Sequence, residues 1–295
     1  MENLEMKRIE YATFGPGGNS NAFKDAGKKS TVDAPQWISS IGLDAYEFEA
    51  GRGINAGEAA LRAIGDKARE HGILMSFHAP YFISLSSVEE EKRTNSIEYI
   101  RRSIAASELL GADTIVIHTG SAASISREEA MRLAADTLER NLEVNGNTDI
   151  RMGLETMGKV NQLGTLEEVI ALCRISPKYH PVVDFGHLNA RHIGNHFPDV
   201  DSYRRVFDTI ANALGDEYAY NLHCHFSKIE FTSKGEKRHL TFTDTVYGPE
   251  FEPLAEAIVL EGVAPRIICE SDGTQSDDAL TMKRLWQNAE RNSKQ

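Results

Sequence analysis

The chain has 295 residues, of which 41% are hydrophobic, and it can bury the core of one large α/β domain or of two small ones. Its formal net charge of −12 argues against a general nucleic-acid-binding protein with a broad basic face, although a site that holds divalent cations sets its own local field. We expect a cytoplasmic protein with reduced thiols, because the sequence has no apolar run of about eighteen residues, no signal-peptide pattern and no C-x-x-C pair.

Short apolar runs alternate with helical segments about eight times along the chain. Several of these runs are apolar over nearly their whole length, which is typical of parallel strands covered on both faces. The predicted strands are Arg8–Phe14, Ala45–Glu49, Ile73–His78, Thr114–His118, Arg151–Glu155, Pro181–Asp184, Tyr218–His225 and Arg266–Glu270.

The segments between the strands carry helix signals. Ser87, Ser126 and Thr165 each stand three residues before a glutamate, which is the pattern of a capping box at the start of a helix. Gly111 fits the end of the long helix that Ser87 would open. The sequence therefore predicts helices in alternation with the strands.

Alternating βα units without a break in composition predict an α/β fold with a parallel sheet. Eight units in this length favour a closed (β/α)₈ TIM barrel, taken as a single domain over residues 1–295. A doubly wound open sheet is the alternative. In a barrel the carboxyl ends of all strands converge on one axis, whereas in an open sheet they spread along a line at about 4.8 Å per strand.

Six predicted strands carry an imidazole or a carboxylate at or close to their ends, where a desolvated polar group costs several kcal/mol unless it is paired or bound to metal. The candidate ligands in and around these ends are His78, His118, Glu155, Asp184, His187, His223, His239 and Glu270. Imidazole and carboxylate without thiolate fit zinc, manganese or iron(II). The set exceeds what one ion needs, so we expect two or three ions that share a bridging carboxylate.

Such a cluster suits hydrolysis of a phosphate ester, because metal ions activate a bridging water, orient its attack and stabilise the leaving oxygen. The alternative is a sugar or sugar-acid isomerase or epimerase, in which divalent ions hold vicinal oxygens. A non-catalytic metal-binding or DNA-binding module is a third interpretation, and it is disfavoured because a structural site has little need of bridging geometry.

Seven short motifs follow one another in a specific order along the chain. They are H-A-P-Y at 78–81, V-I-H-T-G at 116–120, L-E-T at 154–156, D-F-G-H at 184–187, H-C-H-F-S-K at 223–228, K-R-H at 237–239 and C-E-S-D at 269–272. In this order the chain resembles endonuclease IV. That family comprises metal-dependent apurinic/apyrimidinic endonucleases on a (β/α)₈ barrel, within the xylose isomerase-like superfamily.

The resemblance implies a DNA-repair hydrolase that acts on DNA containing abasic sites and cleaves the phosphodiester 5′ of the lesion through a bridging hydroxide. It also implies roles for single residues, with Glu155 and Glu270 at the reaction centre and Tyr81 at the DNA face. The implied ligands are His78, His118 and Glu155 for a first zinc, Glu155, Asp184, His223 and Glu270 for a second, and His187 and His239 for a third.

The chain also departs from the family pattern. Lys237 stands where the family has an aspartate ligand of the third ion, and a protonated ammonium cannot ligate a cation. Either the charge of Lys237 replaces that ion or Glu236 reaches in instead, so two ions are expected and the third is left open. His225 stands where the family usually has an asparagine, and we expect it to lie behind the ligands, on the same strand face as His223.

Three cationic residues are candidates for substrate contact. Arg52 lies on the short Ala50–Gly53 loop, where the family carries a longer insertion with a DNA-penetrating arginine. Lys228 and Lys237 flank strands that carry ligands, and either could pair with a substrate phosphate. The sequence leaves the metal identity and the oligomeric state open.

Overall fold

Strands and helices alternate along the chain as predicted. The computed structural model describes residues 10–295. Its strands are β1 (Thr13–Pro16), β2 (Ala45–Glu49), β3 (Leu74–His78), β4 (Thr114–His118), β5 (Arg151–Glu155), β6 (Tyr179–Asp184), β7 (His223–Phe226), β8 (Ile229–Thr232), β9 (Gly235–His239) and β10 (Arg266–Cys269). All except β8 and β9, which form an antiparallel hairpin, belong to one parallel eight-stranded sheet.

Helices cover the outside of this sheet. They are α1 (Asn21–Asp25), α2 (Ala34–Ser40), α3 (Glu58–His71), α4 (Glu90–Leu110), α5 (Arg127–Asn145), α6 (Leu166–Cys173), α7 (Phe185–Arg191), α8 (Val200–Leu214), α9 (Asp216–Tyr220), α10 (Glu252–Glu261) and α11 (Gln275–Ser293). Among the described residues, no helix is both long enough and apolar enough to cross a lipid bilayer.

The sheet closes on itself between β1 and β2. The backbone N–H of Gly18 donates to the carbonyl of Glu47 at 3.0 Å, and that of Asp44 donates to the carbonyl of Phe14 at 2.9 Å. A Cβ added at Gly15 would lie 1.8 Å from the Ala45 carbonyl oxygen, so the close approach of the two strands requires glycine there. The TIM barrel is confirmed, and the open-sheet alternative is wrong.

Most predicted boundaries hold, and the helix caps explain several of them. The Thr165 hydroxyl accepts from the Glu168 N–H while the Glu168 carboxylate accepts from the Thr165 N–H, which confirms the capping box of α6. At α5 only half of the predicted box forms, because Ser126 accepts from the Glu129 N–H while the Glu129 carboxylate pairs with Arg132. Gly111 ends α4 in the left-handed conformation, with φ of 67°. The capping box predicted at Ser87 is wrong, because Glu89 is the N-cap residue of α4 and Ser87 accepts from the Glu89 N–H in the preceding turn.

Two predicted strands are displaced. β1 begins at Thr13, and residues 8 and 9 of the predicted strand lie outside the described residues. β7 begins at His223 because residues 216–220 form the short helix α9. A short apolar run does not by itself distinguish a strand from a buried helical turn, which accounts for the error at Tyr218. The β8–β9 hairpin is an additional element that the βα pattern does not predict.

The barrel interior is polar below its mouth. Arg266 is buried at the start of β10, where its guanidinium donates to both carboxylate oxygens of Asp113 at 2.8 Å and to the Met75 carbonyl at 3.2 Å. The guanidinium also lowers the pKa of Asp113, against the opposing effect of burial. This ion pair forms the charged floor of the barrel interior, below the mouth.

We predict that Asp113→Ala lowers the free energy of unfolding by about 3 kcal/mol, because it leaves the buried Arg266 without its counter-charge. Urea denaturation at neutral pH measures the change. The control is Glu98→Ala on α4, which breaks an exposed pair with Arg101 and should cost less than about 1 kcal/mol. Equal losses in the two variants would contradict a special role for the interior pair.

Candidate metal centre

Four neighbouring strands deliver polar side chains to one mouth of the barrel. His78, His118, Glu155 and Asp184 are the last residues of β3, β4, β5 and β6. The parallel register places His118 directly beside Glu155. Glu270 follows the last residue of β10 and enters the same space. The predicted convergence of distant segments is therefore present in the structure.

Glu155 lies at the centre of this group and is fully buried. Its Oε2 is 3.6 Å from His78 Nε2 and 3.3 Å from His118 Nε2. Its Oε1 is 3.0 Å from His225 Nδ1 and 3.5 Å from His187 Nδ1. One carboxylate thus faces imidazoles on two sides, which is the placement that a bridging ligand needs.

A second group adjoins the first. Donor atoms of Glu155, Asp184, His187 and Glu270 lie within 4.8 Å of one another. Asp184 also caps α7, since its Oδ1 accepts from the His187 N–H at 2.7 Å, and this interaction fixes the side chain on its strand end. His187 Nδ1 lies 3.3 Å from Asp184 Oδ2.

Several acidic oxygens at this mouth lack a hydrogen-bond donor. Glu155 Oε2, Asp184 Oδ2 and Glu49 Oε1 are buried and have no hydrogen-bond partner within residues 10–295. An unpaired buried carboxylate oxygen is costly, and bound cations would satisfy these oxygens. Imidazole and carboxylate are also the donors that zinc, manganese and iron(II) accept. The residues present therefore fit a cluster of divalent ions.

A third group is built by the β8–β9 hairpin. His187, Glu236 and His239 place donor atoms within 4.8 Å of one another, and Glu236 Oε2 is 3.5 Å from His187 Nε2. Residues 236 and 239 would face opposite sides of a regular strand. A bulge prevents this, because Phe231 pairs with Glu236 and Glu230 with Arg238, so that Lys237 is the extra residue.

Lys237 does not reach the mouth. Its Nζ donates to Glu230 Oε1 at 2.6 Å, and its side chain is 55% exposed. Of the two sequence-based expectations for this position, the structure favours the one in which Glu236 reaches in. The expected contact of Lys237 with substrate is not supported by its position.

The acidic excess shifts the pKa values of the imidazoles. Burial opposes charging of His78, but Glu49 and Glu155 outweigh it and raise its pKa to about 10. Burial likewise opposes charging of His187, whose pKa is nevertheless raised to about 9 by Asp184 and Glu236. Burial, reinforced by Asp184 and Glu155, raises the pKa of Glu270 well above its usual range. Without metal, protons supply part of the positive charge that the site demands.

The remaining predicted substrate residues fall into two classes. Tyr81 lies at the rim, 55% exposed, with its ring stacked on that of His118 at a centroid distance of 5.3 Å. Arg52 is exposed in the turn after β2. Lys228, in contrast, is buried and donates to the Asp244 carbonyl at 2.7 Å and to Glu250 Oε1 at 2.8 Å. Its position does not support the expected phosphate contact, because the ammonium already bonds to the loop that follows.

The positions of the two histidines on β7 differ from the predicted positions. His223 Nε2 lies 2.9 Å from Glu47 Oε2 inside the barrel, whereas His225 lies beside Glu155 and Glu270. Sequence reasoning also missed Glu47 and Glu49 on β2. The sequence does carry a signal for Glu49, because the predicted strand Ala45–Glu49 ends in a carboxylate, as the neighbouring strands end in an imidazole or a carboxylate.

The mouth opens into a cavity of about 620 Å³. Its lining includes Lys159, Gln162 and Gln275 in addition to the acidic and imidazole groups. Arg191 holds the loop that carries Lys159 and Gln162, because its guanidinium donates to the carbonyls of Met157, Lys159, Val160 and Gln162 at 2.8–3.1 Å. The cavity therefore has a polar wall whose loop is held in place by Arg191.

The sequence profile of the family described as xylose isomerase-like TIM barrel matches residues 35–289. The chain belongs to this xylose isomerase-like family. An uncharacterised protein of Methanocaldococcus jannaschii is 30% identical over 284 residues, which are 94% of this chain and 98% of that protein. A protein of Acholeplasma laidlawii named "Probable endonuclease 4" is 30% identical over 170 residues, which are 56% of this chain and 57% of that protein. The resemblance to endonuclease IV is thereby confirmed.

Two solved structures of the xylose isomerase-like fold are similar over nearly the whole chain. A D-tagatose 3-epimerase-like protein has a TM-score of 0.70 and 19% identity, covering 95% of this chain and 99% of that chain. Endonuclease IV from Thermus thermophilus has a TM-score of 0.68 and 18% identity, with the same coverage. At these identities the similarity shows the fold, and both enzyme classes share it.

We predict that Glu236→Ala removes one bound ion from the zinc-loaded protein, because it deletes the carboxylate of the hairpin group. Lys237→Ala is the matched control and should leave the ion count unchanged, because its side chain faces away from the mouth. Elemental analysis after gel filtration measures the ratio of zinc to protein. Loss of an ion in the lysine variant alone would contradict this arrangement.

We also predict that metal binding releases protons and strengthens as the pH rises from 7 to about 9. The reason is that His78 and His187 are protonated at neutral pH in the metal-free protein, with pKa values of about 10 and about 9, and must lose that proton to ligate. Calorimetric titration with zinc in two buffers of different ionisation enthalpy counts the protons. His180→Gln, at the opposite end of the barrel, should give the wild-type count, and a count of zero at pH 7 would refute the explanation.

Proposed function

We propose that the chain is a metal-dependent phosphodiesterase that hydrolyses DNA at the phosphodiester 5′ of an abasic site. The observation that carries this proposal is the set of three adjoining donor groups that meet at Glu155 and His187 and open into one cavity. The relatives named "Probable endonuclease 4" support it, and the acidic net charge is no obstacle, since bound divalent ions would reverse the local field.

Bound ions would supply Lewis-acid stabilisation of the phosphate and a water of lowered pKa. His78, His118 and Glu155 would hold the first. Asp184 and Glu270, together with Glu155 and an imidazole of β7, would hold the second. The hairpin group of His187, Glu236 and His239 would hold the third.

Protein side chains would orient the substrate and manage the proton. Glu270 lies beside Glu155 and lines the cavity, and its carboxylate would accept the proton of the attacking water. Tyr81 would pack against the sugar or a neighbouring base at the rim. Lys159, on the loop that Arg191 holds, would pair with a flanking phosphate. We propose these roles in place of those expected for Lys228 and Lys237.

The volume of the cavity limits the size of the substrate that can enter it. A volume of about 620 Å³ is too small for a duplex but is adequate for one extruded nucleotide. An abasic nucleotide lacks a stacked base, so moving it out of the helix costs less than moving an intact one. Arg52, on the exposed turn after β2, would then contact the duplex.

A sugar or sugar-acid epimerase is the second candidate. The same cavity is also large enough for a monosaccharide, the β2–α3 turn is short, and the barrel superimposes on that of a D-tagatose 3-epimerase-like protein. Glu155 and Glu270 would then flank the carbon that exchanges its proton. The donor groups of the hairpin would have no evident part in that reaction, which is why the hydrolase is preferred.

We predict a nick immediately 5′ of a tetrahydrofuran abasic analogue in duplex DNA when the protein is loaded with zinc, manganese or iron(II). Glu155→Gln should lower the rate by at least about a hundredfold, because it removes the central carboxylate. Glu98→Gln, on the surface of α4, is the matched control and should cleave at the wild-type rate.

Gel electrophoresis of an end-labelled strand measures this cleavage. Absence of metal-dependent nicking above the Glu155→Gln background would refute the hydrolase. Interconversion of ketose epimers by the same preparations would then support the second candidate.

A further inference from the structure

A buried carboxylate lies directly beneath the metal-binding mouth, and no part of the proposed reaction uses it. Glu47, at the centre of β2, has no exposed surface. Its Oε2 is 2.9 Å from His223 Nε2 and accepts from the Ser76 hydroxyl at 2.7 Å. Its Oε1 is 2.9 Å from His225 Nε2. The interior of a TIM barrel is normally filled by branched apolar residues, so this polar group needs an explanation.

Strand geometry explains how the group forms. His223 and His225 are two residues apart on β7, so both side chains point into the barrel. Glu47 is on β2, across the interior from β7 in the closed sheet. One carboxylate therefore receives two imidazoles from the same strand, one on each oxygen. Ser76, on the neighbouring strand β3, holds the carboxylate from the side.

The ring of His225 faces a different partner with each nitrogen. Nε2 lies against Glu47, while Nδ1 lies 3.0 Å from Glu155 Oε1 and 3.3 Å from Glu270 Oε1. The Nε2–Glu47 contact is short but lies outside hydrogen-bond geometry, whereas Nδ1 is in hydrogen-bond geometry with Glu155 Oε1. If a bound metal replaces the proton on Nδ1, the remaining proton lies on Nε2 and faces Glu47. A lone pair on Nδ1 would be repelled by these acceptor oxygens unless a proton or a metal cation lies between them, so a metal ion can take the place that a proton holds in the metal-free protein. This is the arrangement of a histidine ligand whose second nitrogen is held by a carboxylate.

His223 has a different environment. Its Nε2 lies against Glu47, and its ring is an edge-on neighbour of His225. His223 forms a group of close donor atoms with Glu47 and His225, whereas His225 also forms such a group with His78 and Glu270 at the mouth. The ligand position that the motif order gives to His223 is thus occupied in space by His225.

We propose that Glu47 is a positioning residue that fixes the tautomer and ring orientation of His225, and that His225 Nδ1, not His223, completes the second metal site with Glu155, Asp184 and Glu270. His223 and Ser76 serve to hold Glu47. The inference rests on the proposed metal centre, but it concerns how the centre is supported and does not depend on which substrate is cleaved.

Cobalt(II) titration of the metal-free protein, followed by visible absorption, tests the assignment of the two histidines. His225→Ala should lose one ion and change the absorption bands that depend on ligand geometry. His223→Ala should retain the wild-type number of ions. The opposite result, with the ion lost in His223→Ala and retained in His225→Ala, would overturn the proposal.

Substitutions at Glu47 test the positioning role. Glu47→Ala should retain the ion count but weaken cobalt binding by about 10- to 100-fold and shift the absorption bands. Glu47→Gln should recover part of the affinity, because its amide oxygen can still accept from His225. Ser76→Ala removes one bond to the carboxylate without emptying the site, so it should weaken binding several-fold even if Glu47→Ala folds poorly.

Nitrogen-15 spectra of the zinc-loaded protein, labelled at histidine, supply a direct readout. The wild type should show His225 protonated at Nε2 and metal-bound at Nδ1, and Glu47→Ala should lose the slow exchange of that proton. Unchanged affinity, bands and spectra in Glu47→Ala would overturn the positioning role. An extra ion that disappears in both Glu47→Ala and His223→Ala would overturn it as well, because it would reveal a metal site inside the barrel.

These outcomes are separate from those of the cleavage assay. A wild type that binds cobalt as described but does not nick abasic DNA would refute the proposed hydrolase and leave the role of Glu47 standing. A wild type that nicks DNA while His225→Ala retains every ion would refute the present inference alone.

Discussion

The need to compensate buried carboxylates governs the architecture of this site. Barrel closure brings the carboxyl ends of eight strands onto one axis, and several of these ends carry acidic side chains with little access to water. Repulsion among such groups would be severe in the folded chain unless positive charge is placed among them. The surrounding imidazoles provide part of that charge as protonated groups, and divalent cations would provide more. The same constraint explains why the mouth contains more imidazoles than a single metal ion can coordinate.

The interior below the mouth continues this pattern with alternating polar layers. Mouth carboxylates lie above the pair of β7 imidazoles, which lie on Glu47, and the Arg266–Asp113 ion pair lies at the opposite end. His225 Nδ1 lies 3.0 Å from Glu155 Oε1, and Glu47 lies 2.9 Å from the Nε2 atoms of both His225 and His223. An apolar barrel core would stabilise the fold equally well, but it would not hold an imidazole ring in one orientation. The polar filling is therefore best understood as support for the site.

Under the proposed function, substrate specificity would reside in the parts of the chain that the βα pattern does not determine. The β8–β9 hairpin contributes Glu236 and His239, and it pairs with the β5–α6 loop through the antiparallel bridge between Lys159 and Gly235. Arg191 fixes that loop from below. The barrel itself is common to enzymes with different substrates, so these loops, the cavity they enclose and the rim residue Tyr81 would carry the proposed distinction between a DNA lesion and a free sugar.

By itself, the sequence determined the alternation of strands and helices, the closed barrel and most of the residues at its mouth. These features are local or periodic: a strand end is visible in the apolar pattern, and parallel strands of a barrel must present their carboxyl ends together. Only the tertiary structure decided which of two histidines on β7 faces the mouth, because both occupy the same strand face and differ only in depth. It likewise decided that Glu236 turns inward and Lys237 outward, since a bulge reverses the side-chain alternation that the sequence alone implies. Glu47 acquires its partners only when β2 closes against β1 and lies across from β7, so no motif along the chain could reveal them.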